Sequence, residues 1–103
     1  MSVWTVAHKH GTTDVTVGAR YRDLYHPDEE WEVAGPPVDE IESDYGDNGL
    51  CPVFPCRQLS GDISLYSADR KPNGEIDMCG DAIAEALWRG TESAGAARDG
   101  GEA

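Results

Sequence analysis

No window of this 103-residue chain approaches the roughly 20 consecutive apolar residues that cross a bilayer, and Met1 to Lys9 lacks a basic stretch followed by an apolar run. A soluble, cytoplasmic protein is therefore expected. Phenylalanine occurs once, and Leu, Ile, Val and Phe together number 17, a share that with a net charge of -12 comes close to that of disordered chains. Three cysteines are an odd count, which excludes a fully paired disulfide framework and fits a reducing compartment. The largest gap is in positive charge. Between Arg22 and Arg57 there is no Lys or Arg, while Asp23, Asp28, Glu29, Glu30, Glu32, Asp39, Glu40, Glu42, Asp44 and Asp47 supply ten of the chain's 20 carboxylates. Phosphate charge repels such a surface, which excludes bare nucleic acid and anionic membranes as direct partners.

What is present argues for a folded domain. Three Trp and four Tyr each bury a large apolar area, so a small, aromatic-weighted core is expected in one domain over residues 1–90. Val3, Thr5, Ala7 and Val15, Val17 flank the polar turn His8 to Asp14, the pattern of a β-hairpin with Trp4 and Val6 on one face. Tyr21, Leu24 and Tyr25 fit one turn of helix, while Trp31 and Val33 suit either a helix or a short strand. Gly35-Pro36-Pro37 breaks the chain, and Cys51 to Cys56 reads as a rigid loop because Pro52 and Pro55 fix φ. Ile63, Leu65 and Tyr66 read as a strand that returns through Lys71-Pro72-Asn73-Gly74 to Ile76 and Met78.

Cys79, Ile83, Ala86 and Leu87 then fall at helical spacing, with Asp77 or Asp81 to cap the start and Gly90 to end it. Residues 91–103 are Gly, Ala, Ser and charge, and read as a disordered tail. The expected architecture is α+β: an antiparallel sheet from two β-hairpins, the helix Cys79 to Arg89 packed on it, and an irregular acidic insertion over 23–50. Ile83, Leu87, Ile63, Leu65, Val6, Val15, Trp4 and Trp88 are the expected core.

Few residues carry a chemical signature. Cys51, Cys56 and Cys79 with His26 form a possible Cys₃His zinc set, although the four-residue gap between Cys51 and Cys56 is wider than the usual knuckle. His8 and His10 can bind a metal or shuttle protons near neutral pH, but no third ligand or nucleophile stands at a mechanistic spacing. A calcium loop starting at Asp44 would put Gly46 at its third position and Pro55 at its twelfth, where a bidentate Glu is needed. Neither a cofactor nor an enzymatic activity is implied.

Around the first turn, Val6-Ala7-His8-Lys9-His10-Gly11-Thr12 with nearby Asp14 resembles the start of small uncharacterised proteins carried by phages and mobile elements. The resemblance covers about fifteen residues, with an extra Thr before the Asp. It implies a setting, with the host cell cytoplasm as location, and no functional residue.

The acidic block supports three readings: a row of carboxylates mimicking phosphates, a halophile's general acidity, and an acidic loop with no partner. Halophilic acidity is spread over a surface, whereas the first 22 residues hold one acid, Asp14, against three bases. The favoured reading is a non-enzymatic inhibitor, anti-defence or anti-CRISPR-like, that blocks the basic surface of a nucleic-acid-binding protein or complex. Glu29, Glu30, Glu32, Asp39, Glu40, Glu42, Asp44 and Asp47 are its expected contacts. A structural zinc module is the alternative.

Overall fold

The computed structural model describes residues 2–46, 48–61 and 68–102, with side chains as far as Thr91. Asp47 and the expected strand at Ile63, Leu65 and Tyr66 lie outside the described residues.

The first hairpin forms as its alternation predicts. β1 (Trp4–His8) and β2 (Gly11–Val15) pair antiparallel, with Trp4 opposite Val15 and His8 opposite Gly11. Lys9 and His10 make the link, and Gly11 follows at φ +133°, a conformation other residues rarely adopt. Val6 and His8 point inward and are buried, while Val3 and Thr5 are exposed.

A second antiparallel sheet holds β3 (Arg20–Arg22), β4 (Glu30–Val33), β5 (Asp39–Glu42), β6 (Leu50–Ser60) and β7 (Ile76–Cys79). β6 is its spine. Cys56 is flanked by Val33 and Ile76, and Val53 by Asp39 and Cys79, so β4 and β5 lie end to end on one edge of β6 and β7 lies on the other. The six-residue step from Val33 to Asp39 faces the three-residue step from Cys56 to Val53, and Gly35-Pro36-Pro37 is the part that loops out. Tyr21 pairs with Trp31, which adds β3 outside β4. The turn of helix suggested by Tyr21, Leu24 and Tyr25 is not formed, because burying Tyr21 beside Trp31 outweighs a weak local preference.

Two expectations need correction here. The stretch 23–50 is not an irregular insertion, since it supplies β4 and β5, and Cys51 to Cys56 is not a loop but the middle of the central strand. Proline normally avoids that position because it cannot donate to the ladder. Here neither proline costs a ladder bond. The Pro55 carbonyl accepts from the Ala34 N–H at 2.8 Å, so its missing N–H faces the edge where Gly35-Pro36-Pro37 loops away. Pro52 faces the other edge one step past Val53 and Cys79, where β7 has already ended.

α1 spans Gly80–Glu102 and packs on both sheets. It starts one residue later than its apolar spacing suggests: Cys79 is the exposed end of β7 and not part of the buried helix stripe. A Cβ on Gly80 would approach the Pro52 carbonyl oxygen to 2.5 Å, which is why the chain can turn from strand to helix so close to β6. At this start the Asp81 N–H donates to the Cys51 sulfur at 3.1 Å, and the Asp81 carboxylate accepts from the Ala82 N–H at 2.7 Å. Two of the orphan amides of the first turn are thereby satisfied. Gly90, read as the helix stop, lies inside α1, whose backbone continues to Glu102 through an Ala-containing stretch that tolerates helix.

The core lies between the hairpin, the larger sheet and the first turns of α1. Val6, Val15 and Ile83 are buried as expected, with Trp4 and Leu87 packed partly buried against them, but Trp31, Val33, Phe54 and Cys56 hold the centre at 0% exposure. Trp88 is half-buried and stacks on His10 instead. No helix among the described residues is long and apolar enough to cross a membrane.

Candidate interaction surface

Tertiary structure divides the expected contacts among the described residues into three groups. Glu29 is at 0% exposure, its Oε1 accepting from the Trp31 indole N–H at 3.3 Å, so it is not available as a surface contact. The preference for charge outside is overridden because the β3–β4 connection carries Glu29 under the sheet next to Trp31, whose indole needs an acceptor once buried. Glu30 and Glu32 are half-buried on β4, and Glu32 sits between Arg20 at 3.9 Å and Arg57 at 3.4 Å. Arg57 also reaches Glu75 at 3.5 Å. Glu32 and Glu75 thus pair with the sheet's own cations.

Asp39, Glu40, Glu42 and Asp44 form the third group, and all four are exposed. Every ion pair among the described residues uses Glu32, Glu75, Asp77 or Glu85, and none uses these four. Strand alternation separates them further. Glu40 and Glu42 stand opposite Pro52 and Leu50 on one face of β5–β6, whereas Asp39 and Ile41 stand opposite Val53 and Cys51 on the other. The Asp39 carboxylate also accepts from the Glu40 N–H at 2.8 Å, holding its charge at the strand's outer edge. Nearby apolar groups are exposed too, with Val38 at 53% and Ile41 at 39%.

Beside Glu40 lies an open groove of about 1020 Å³, bounded by β1 on one side and by β5 with the turn before it on the other. The sequence pattern places Trp4 to Ala7 in the first hairpin and Asp39 and Glu40 in an irregular insertion, and it gives no sign that β1 and β5 come together, because they pair with different strands. The β1 wall was therefore missed. The spacing of alternating residues predicts faces, not which edges meet.

The two histidines of the first hairpin lie beside α1. His10 stacks on Trp88 with ring centroids 4.2 Å apart and 13° between planes, and its Nε2 lies 4.0 Å from Glu85, which also pairs with Arg89 at 3.2 Å. His8 is buried. Its Nδ1 accepts from the His10 N–H at 3.2 Å, which leaves Nε2–H to donate to the Thr13 hydroxyl at 2.9 Å and fixes the neutral ring. Burial pushes His8 below its ordinary 6.5, the Glu85 charge acting the other way and His10 adding to the depression. The depressed value sets the sign: neutral His8 stabilises the fold above 6.5, and that contribution is lost as pH falls through the folded value. A proton NMR titration is expected to give His8 a midpoint below 6.5. A midpoint at or above it contradicts this geometry.

Cys51, Cys56, Cys79 and His26 are not brought together as one set, although burial pushes the Cys51 thiol up and Cys79 lies near enough to add to that push. Cys51 and Cys56 are five positions apart on one strand, an odd spacing that points them to opposite faces, and among the described residues no group of three His, Cys, Asp or Glu side chains is placed to hold a metal ion. Cys51 lies at the start of α1, and Cys56 is in the core with its thiol pushed up to about 12 by burial. Cys79 is exposed and His26 lies in the exposed turn after β3. Compared with protein-family models, curated proteins and solved structures, the chain matches none of them.

Proposed function

We propose that this chain is a non-enzymatic interaction protein whose exposed carboxylates Asp39, Glu40, Glu42 and Asp44 dock on a basic protein surface of the kind that otherwise holds nucleic-acid phosphates. The observation that carries the reading is the clustering of free charge: Asp39, Glu40, Glu42 and Asp44 are all exposed within one six-residue stretch, and none of them has a cation of its own among the described residues. Unpaired carboxylates raise self-repulsion in the compact state unless a cationic partner relieves it. An inhibitor carried by a phage or mobile element is the setting that the opening hairpin's resemblance adds to this reading.

Geometry limits the size of the partner's site. Strand residues rise about 3.3 Å each, so Glu40 and Glu42 stand roughly 7 Å apart, whereas duplex DNA presents one charge per ~1.7 Å. With Glu29 buried and Glu32 paired, the free row is too short and sparse to replace a long duplex. It suits a narrow basic strip.

Capture of the partner from host lysate, followed by displacement with duplex DNA, tests this. The Asp39→Lys/Glu40→Lys/Glu42→Lys variant is expected to keep its fold by circular dichroism and to lose capture. Capture by the parent is expected to weaken steeply with salt and to be competed by DNA. Binding by the triple variant equal to the parent's across the salt series overturns the proposal.

A further inference from the structure

The groove between β1 and β5 has the features of a strand-addition site. On the β1 side it is lined by Val3 and four successive residues of β1, Trp4 to Ala7, with Thr12 of β2 beside them. Successive side chains of a strand point to opposite faces, so an unbroken run of lining residues means that the strand's edge itself borders the groove. Among the described residues β1 pairs only with β2. The two-residue link makes His8 and Gly11 a hydrogen-bonded pair, and alternation from there turns the N–H and C=O groups of Thr5 and Ala7 away from β2. These are the groups an incoming strand would meet.

The opposite wall selects the occupant. It carries Asp39 and Glu40, and among the described residues no Lys or Arg lines the groove. An open edge is normally a template for pairing with another copy of the same chain. At a net charge of -12, a second copy would bring like charge against those carboxylates. A basic segment would bring the opposite charge.

We infer that the groove takes an extended basic segment of a partner protein, which adds to the open edge of β1 as a third strand and turns alternate Lys or Arg side chains toward Asp39 and Glu40. Backbone hydrogen bonds to Thr5 and Ala7 supply register, and the acid wall supplies selection. Leu50 and Pro52, which also line the groove, offer apolar contact for the intervening side chains. The inference rests on the acidic-surface reading above and specifies the form the partner takes there.

A synthetic peptide alternating Lys and Val is the probe, with two N-methylated versions that block the amides of one edge or the other without changing charge. Fluorescence anisotropy at low salt is expected to show binding of the parent peptide, and one N-methylated version is expected to bind at least about tenfold more weakly. Amide exchange at Thr5 and Ala7 should slow in the complex. Equal binding of both N-methylated versions, unchanged exchange at Thr5 and Ala7, or no binding of the parent peptide overturns strand addition. The separate variant Asp39→Lys/Glu40→Lys distinguishes the two readings. If it binds the peptide as tightly as the parent protein, the acidic-surface reading fails; if it loses the peptide while both N-methylated versions bind the parent protein normally, only strand pairing fails.

Discussion

Glu29→Lys is expected to unfold the domain, while Glu40→Lys and Glu42→Lys leave its stability within about 0.5 kcal/mol. All three residues belong to one acidic run, and charge alone does not separate them. Glu29 is at 0% exposure, accepts from the Trp31 indole at 3.3 Å, and has its Cγ where a Cβ on Gly61 would come within 2.6 Å. Lysine there offers no acceptor to the indole and carries a longer, charged chain into a filled space. An uncompensated buried charge costs about 3–5 kcal/mol, against a total stability of about 5–15 kcal/mol for a domain. Glu40 and Glu42 are exposed and make no ion pair among the described residues, so their reversal removes no attractive contact and relieves some repulsion. Urea midpoints followed by far-ultraviolet circular dichroism decide it. A Glu29→Lys protein as stable as the parent would mean that Glu29 is not buried.

Phe54→Ala is expected to cost about 3–5 kcal/mol, the range for removing a fully buried aromatic from a core. Phe54 is the chain's one phenylalanine and lies at 0% exposure in the middle of β6. Its ring meets Trp4 edge to face, with centroids 5.7 Å apart and 79° between planes, so it ties the hairpin to the larger sheet. It also lies against the start of α1, since a Cβ on Gly80 would approach Phe54 Cε1 to 3.1 Å. Three elements converge on this ring, and a small core has little else to close the space. A shift of the urea midpoint no larger than that of an exposed control such as Tyr25→Ala would refute the placement.

The glycine beside this ring shows why the local pattern went only part of the way. Cys79, Ile83, Ala86 and Leu87 do sit at helical spacing, and Ile83 and Ala86 are buried on α1. Cys79 fits the same spacing and is strand, because β7 keeps its pairing with β6 up to Val53 opposite Cys79. Hydrogen bonding to a neighbour distant in sequence decided that boundary. The two prolines of β6 mislead in the same way: proline is excluded from a central strand only when its missing N–H faces a partner, and which edge it faces depends on where β7 ends and where Gly35-Pro36-Pro37 loops out.

By itself the sequence determined the α+β class, the first hairpin, the helix stripe after β7 and the location of the acidic run. These are local patterns: alternation, 3.6-residue periodicity and turn chemistry all act within a few residues. Only tertiary structure decided which carboxylates of that run are free. Glu29 went to the interior with Trp31, Glu32 to Arg20 and Arg57, and Asp39, Glu40, Glu42 and Asp44 to open surface. The physical reason is that charge is written in the sequence, whereas burial and pairing are set by strands that meet across twenty residues or more, as Val53 and Cys56 do with β7 and β4.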